Sequence, residues 1–207
     1  MARPDNYAIQ AQDAKNRFLT YDQDHIIEKF HLRHDGQYLY PVMLSSQYRL
    51  CRKTGDLQRQ EQGRWLDANS FGEVMTLLDI LCDAKEHRFL TGRYKQQQHF
   101  GLMFHQNLTE RSAPPLAKAF DQNEAALRRA CQTLGAVPFP GGDYGCTIEL
   151  FDGLSIGMLF WHGDEEFAPR LRWFWDENAL MWIRYETMYF AIGHLESQLM
   201  KTFDELG

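Results

Sequence analysis

The stretch Leu154-Ser155-Ile156-Gly157-Met158-Leu159-Phe160-Trp161, then His162-Gly163-Asp164-Glu165-Glu166-Phe167-Ala168-Pro169, then Arg170-Leu171-Arg172-Trp173-Phe174-Trp175-Asp176, decides the fold. Its first part alternates, with Leu154, Ile156, Met158 and Phe160 on one face. Its last part alternates too, with Leu171, Trp173 and Trp175 on one face and both arginines on the other. A period of two marks a half-buried strand. Two such runs in succession pair most simply as an antiparallel hairpin, and the segment that joins them carries three adjacent carboxylates, Asp164, Glu165 and Glu166.

That loop is the candidate site. Trp161, His162, Asp164, Glu165, Glu166, Arg170, Arg172 and Trp173 form a candidate ligand-binding set, a polar rim beside an aromatic floor. Ladder neighbours bring Arg170 or Arg172 toward the loop, where a guanidinium fork can grip a carboxylate through two bonds. In an extended loop Asp164 and Glu166 point one way and Glu165 the other. The reading therefore expects at least one carboxylate to be paired with Arg170, Arg172 or Arg184 and the others to line a ligand-accessible surface. The plainer alternative is a solvated turn neutralised by the same arginines.

Outward from the hairpin, helices and strands come in local groups. Tyr7, Ala11, Ala14 and Phe18 recur at helical spacing, with Asp5 or Asn6 as cap, and a short helix is predicted from Asp22 to Phe30 with Ile26, Ile27 and Phe30 inward. Asp35-Gly36 marks a turn. Tyr38 to Leu44 and Gln47 to Cys51 read as strands, with Pro41 placing the first at an edge or in a bulged position, and Thr54-Gly55-Asp56 turns into a strand from Leu57 to Glu61. Ser70 and Glu73 form a capping box before an apolar face of Phe71, Val74, Met75, Leu78, Leu81 and Cys82. Pro114-Pro115 opens a helix to Phe120. Asp121 and Glu124 read as a second capping box, with Leu127, Ala130, Cys131 and Leu134 on one stripe and Gly135 at the stop. Cys146 to Leu150 begins the strand set of the hairpin, and a last helix runs from about Glu186 to Phe203 with Met188, Ala191, Ile192, Leu195 and Leu199 buried. Strands grouped without regular alternation with helices predict an α+β fold, an antiparallel sheet flanked by helices, as a single domain over residues 1–207.

The 207 residues suit one domain, and 44% hydrophobic with 14% aromatic content excludes global disorder. The net charge of −6 argues against nucleic acid as partner. No apolar run approaches the ~20 residues that cross a bilayer, and the opening Met1-Ala2-Arg3-Pro4-Asp5 is polar, so the expectation is a cytoplasmic protein with no membrane partner. Cys51, Cys82, Cys131 and Cys146 lie far apart with no close pair, which is not the pattern of zinc or iron–sulfur ligation; all four are expected to be reduced.

Pro115-Leu116-Ala117-Lys118-Ala119-Phe120, Leu134-Gly135, Trp161-His162-Gly163-Asp164-Glu165-Glu166-Phe167, Trp175-Asp176 and Glu186 together resemble the domain of unknown function 3786 family of bacteria and archaea, over roughly residues 22–200. His162 departs from the acidic residue expected at its place. The resemblance implies a setting in anaerobic metabolism, since members are frequently anaerobe proteins and some carry an iron–sulfur domain ahead of this one; no such domain is expected here. It implies no activity.

Other constellations are weaker. His25, His31 and His34 cluster, the last two able to share a helical face, yet so loose a spacing is common on polar helices. His99 and His105 flank a predicted strand, Phe100 to Phe104, either one a possible lone axial ligand for a tetrapyrrole. Glu86-His87-Arg88 and Arg93-Tyr94-Lys95 form a basic, aromatic segment suited to an anion. No phosphate loop and no nucleophile motif is present. Two function classes remain: an accessory module that binds a small ligand, a cofactor or a partner protein, and an enzyme that uses Asp164, Glu165 or Glu166 as metal ligand or general base. The first is preferred, because no second catalytic group pairs with the loop.

Overall fold

A computed structural model describes residues 6–100 and 114–206. The chain divides into two compact units, Met1–Phe89 with Leu180–Ala191, and Leu90–Ala179 with Ile192–Gly207.

The first unit begins with helices α1 (Asn6–Phe18) and α2 (Gln23–Phe30), the latter capped by Asp22, whose carboxylate accepts from the N–H groups of Asp24 and His25. Strands β1 (Arg33–His34), β2 (Tyr38–Tyr40), β3 (Val42–Met43), β4 (Ser46–Cys51), β5 (Leu57–Glu61) and β6 (Arg64–Asp67) follow, and then helix α3 (Phe71–Asp83). The sheet order is β1-β2-β4-β5-β6, antiparallel, with β3 paired to β4. Pro41 breaks the predicted first strand into β2 and β3, as its missing N–H requires; β6 was not foreseen from the sequence.

Helix α3 departs from a one-sided apolar stripe. Thr76, Leu77, Asp79 and Ile80 are buried along with Val74, Leu78 and Leu81, so the helix is enclosed nearly all round, while Phe71 and Met75 are only half-buried. Its polar groups are answered inside. Ser70 caps it as expected, but the Glu73 carboxylate also accepts from the Tyr48 hydroxyl at 2.8 Å and pairs with Arg59. Asp79 pairs with Arg17 of α1 and accepts from the hydroxyl of Thr187. Buried charge stands only when matched in this way.

One face of this sheet packs inward through Leu39, Tyr48, Leu50 and Leu57. On the other, Arg49 lies between the Tyr38 and Trp65 rings at 4.7 and 4.8 Å, and Arg33 lies over Tyr40 at 4.6 Å. Such stacks fix the side chains of an otherwise open sheet face.

The second unit holds β7 (Tyr94–Gln96), a 3-10 turn (Gln97–Phe100), α4 (Pro114–Gln122), α5 (Glu124–Thr133), β8 (Val137–Pro138), β9 (Tyr144–Phe151), β10 (Leu154–Trp161) and β11 (Arg170–Asp176), in an antiparallel sheet of order β7-β11-β10-β9-β8. Helix α6 (Tyr185–Leu206) contributes residues 185–191 to the first unit and 192–206 to the second. The α+β expectation holds, with antiparallel pairing throughout and the strands divided between two sheets. No helix among the described residues is long and apolar enough to cross a membrane.

The decisive hairpin forms as an antiparallel pair, with Met158 opposite Trp173 and Phe160 opposite Leu171. Leu154, Ile156, Met158, Phe160, Leu171, Trp173 and Trp175 are all buried. Phe120 of α4 packs edge-on to Phe160 at 6.4 Å and against Phe203 of α6 at 5.4 Å. The turn before β10 is Asp152-Gly153, with φ of 51° and 80° and Phe151 opposite Leu154. Positive φ at both central residues is the two-residue turn whose twist matches paired strands, and glycine takes its second position without a Cβ clash.

Candidate functional site

The acidic loop, residues 162–169, is bent and not strand-like. The expected up-and-down display of its carboxylates is therefore replaced by a local turn. Asp164 Oδ1 accepts from the N–H groups of Glu166 (2.9 Å) and Phe167 (2.7 Å), and Asp164 N–H donates to the Phe167 carbonyl at 2.9 Å. An aspartate that satisfies the backbone two and three residues ahead fixes a turn. Gly163 makes room for it: a Cβ there would lie 2.8 Å from Pro169 Cδ, on a ring that cannot swing away. Glu165, Glu166 and Phe167 are exposed.

His162 holds the loop to the helices. Its Nδ1 donates to Asp121 Oδ1 at 2.8 Å and its Nε2 to Glu124 Oε2 at 2.7 Å, an arrangement that needs a proton on both nitrogens. The backbone joins in, with Gly163 N–H donating to Asp121 at 3.1 Å and His162 N–H to Asp143 at 2.8 Å. The hydrogen bonds to Glu124 and Asp121 raise the imidazole above its ordinary value. The same bond to His162, then the Gly163 N–H, lowers Asp121; the bonds to His162 and Arg128 lower Glu124.

This corrects the predicted capping box. Asp121 lies inside α4, and the cap of α5 is Asn123, whose side chain accepts from Ala126 N–H. Asp121 and Glu124 instead place both carboxylates toward one imidazole. The spacing Asp-x-x-Glu was legible; its partner, 38 residues beyond Glu124, was not.

The latch has a pH signature. Below the ordinary histidine value of 6.5 its contribution is complete, and it fades as pH rises through the raised folded value. Asp121 and Glu124 add stability above their ordinary values of 3.8 and 4.5 and lose it as pH falls through the lowered folded ones. The melting-temperature gap between wild type and His162→Ala is therefore widest between pH 4.5 and 6.5 and narrows on the alkaline side. A gap that stays flat from about pH 5 to 9 would show that the ring's charge is not what holds the loop.

The remaining candidate residues separate. Trp161 is half-buried beneath Arg170, whose guanidinium lies 5.8 Å from its ring. Trp173 is buried and donates to Glu196 at 3.0 Å. Arg172 is half-buried opposite Leu159, and Arg184 pairs with Asp83. The loop thus brings together His162, Gly163 and Asp164, with Glu165 and Glu166 open to solvent.

The histidine readings also change. Helix α2 ends at Phe30, so His31 is its left-handed C-cap and His34 sits on β1, which removes their shared helical face. His25 pairs with Glu86 at 2.9 Å. His99 is exposed in a 3-10 turn and not on a strand, and His105 falls outside the described residues. Among the described residues, no group of three or more His, Cys, Asp or Glu side chains is placed to hold a metal ion. Arg88 donates to the Lys29 carbonyl at 3.0 Å and covers Phe30, while Arg93 pairs with Glu177.

A second place was not foreseen. In the first unit a cavity of about 310 Å³ opens between α1 and the sheet, lined among others by Lys15, Tyr38, Cys51, Asp56, Asp67 and Asn69. Lys15 Nζ donates to Asp56 Oδ1 at 2.9 Å, and Thr54 Oγ1 donates to Asp56 Oδ2 at 2.7 Å. Gln58 accepts from Arg49 at 2.6 Å and donates to Asp67 Oδ1 at 2.8 Å. Burial works to raise the Cys51 thiol, but the Thr54 hydroxyl and the N–H groups of Lys53 and Thr54 outweigh it and bring the thiol below its ordinary value. All four cysteines are free thiols, and Cys51 alone is only half-buried. The sequence signal was faint: a run of polar residues on β5, Gln58 to Glu61, which reads equally as a solvated strand.

Fold and sites define an α+β protein of two antiparallel sheets, with a histidine-latched acidic loop on one and a small polar cavity beside the other. The family model described as domain of unknown function (DUF3786) matches residues 22–197, and the chain belongs to that family. No curated protein and no solved structure matches the chain.

Proposed function

We propose that the chain is a binding module for a small polar molecule, held in the cavity beside α1. The observation that carries this is the cavity itself. Its volume of about 310 Å³ lies at the small end of the ~300–1,000 Å³ typical of ligand sites. One wall is held before any ligand arrives, because Arg49 is stacked on Tyr38 and bonded to Gln58. Walls fixed in advance reduce the ordering cost of binding. The alternative, acid–base or metal chemistry on Asp164, Glu165 and Glu166, has less support: Asp164 is engaged in its own turn, and the other two are exposed. An accessory role for the bound molecule, in anaerobic metabolism or elsewhere, belongs to the same proposal.

The test is a thermal-shift comparison of wild type with Asn69→Trp, which places a bulky ring in the cavity mouth. Probes of four chemistries serve: myo-inositol, putrescine, citrate and inorganic phosphate. The expected result is a rise in melting temperature with one of them in wild type that is lost in the variant. Equal shifts in both proteins, or none in either, would sink the proposal.

A further inference from the structure

We infer that the ligand of this cavity is a polyhydroxylated molecule without anionic groups, of the size of a single sugar or cyclitol, a statement that rests on the binding reading above. Charge comes first. The lining carries one lysine against two aspartates, and Lys15 is already matched by Asp56 at 2.9 Å. The remaining charge is the carboxylate of Asp67, so a phosphate or carboxylate ligand would meet net repulsion at close range. A largely apolar ligand has no counterpart either, since Leu57 is the lone aliphatic residue of the lining.

The uncommitted hydrogen-bonding groups then set the class. Among the described residues the Asn69 side chain has no partner, so it offers two N–H donors and a carbonyl acceptor. Asp67 accepts from Gln58 through Oδ1, which leaves Oδ2 as a second acceptor. Lys15 uses one of its three N–H bonds on Asp56. Tyr38 Oη accepts from Gln37 at 3.1 Å and retains its own proton to donate. Donors and acceptors are thus interleaved around one small volume. A hydroxyl is the group that serves both, giving one bond and taking another, and several hydroxyls on a compact frame match the set. Tyr38 supplies the flat ring against which the C–H face of such a frame packs, and Arg49 stacked at 4.7 Å holds that ring in place.

Cys51 in the lining provides the readout. Wild-type protein is alkylated with iodoacetamide under native conditions, and modification of Cys51 is followed by peptide mass spectrometry; Cys82, Cys131 and Cys146 are buried and serve as internal references. With myo-inositol or D-glucose at ten times its dissociation constant, the Cys51 rate falls about tenfold, as the free fraction does. Phosphate, citrate and putrescine leave it unchanged. Asp67→Ala and Asn69→Ala, each compared with its own rate without probe, lose the protection. Protection by phosphate, citrate or putrescine but by neither hydroxylated probe overturns the ligand class and leaves the binding reading standing. No protection by any probe overturns both.

Discussion

Replacing Asp79 by alanine is expected to destabilise the protein by about 3–5 kcal/mol, the range for removing one partner from a buried ion pair. Asp79 is 2% exposed on α3 and is held by Arg17 and Thr187. Its loss leaves a guanidinium packed along the helix with Asp83 as its remaining ion-pair partner among the described residues. A second orphan arises at the Thr187 hydroxyl, which is 1% exposed, and a buried hydroxyl that loses its partner costs its desolvation. Denaturant unfolding gives the measurement. The double substitution Asp79→Leu with Arg17→Met replaces the pair by apolar groups, and it should recover most of the loss, since a well-packed apolar substitute is often neutral. A single Asp79→Ala change that costs less than about 1 kcal/mol, the level of an exposed pair, would show that the site is hydrated in solution.

The second large effect is at Trp175. It is fully buried in β11, opposite Ile156 on one side and Lys95 on the other. Trp175→Ala should cost about 3–5 kcal/mol through lost contacts and the void left behind. The informative comparison is Trp175→Phe. The indole Nε1 is buried with no hydrogen-bond partner among the described residues, and an orphaned donor of that kind carries a cost of about 1–3 kcal/mol. Phenylalanine removes the donor together with some volume, so the two terms offset and the change should be close to neutral. A Trp175→Phe protein as unstable as Trp175→Ala would show that the indole N–H is satisfied in solution.

These two sites show what the sequence could and could not convey. Trp175 was legible as core because it falls in a period-two run with Leu171 and Trp173, and strand periodicity is set by residues next to one another in the chain. The same local logic found the Ser70 cap and the buried face of α6. Asp79 was not legible. It sits in the middle of an apolar run, Leu77 to Cys82, and its partners lie 62 residues before and 108 residues after it. The Asp-Gly pair at 152–153 is a direct hairpin signal in the sequence, stronger than the longer acidic connection that follows it. At the candidate site the loop's position was readable, but its chemistry was not. His162, Asp121, Glu124 and Asp143 come from three separate segments, and nothing in their spacing announces one cluster. The cavity was harder still, because a polar residue facing a cavity and one facing open water look alike in sequence.

The Asp152-Gly153 turn has a bearing on how quickly the second unit assembles. Joining β9 to β10 closes a loop of only two residues, so little chain entropy is lost before the first cross-strand pairs are made. By contrast, β7 reaches β11 across some eighty residues, from Lys95 to Trp175, and must wait for more of the chain to be in place. The β9–β10 pair is therefore the natural nucleus of this sheet. Strain introduced at the turn slows folding, whereas strain introduced at β7 hastens unfolding.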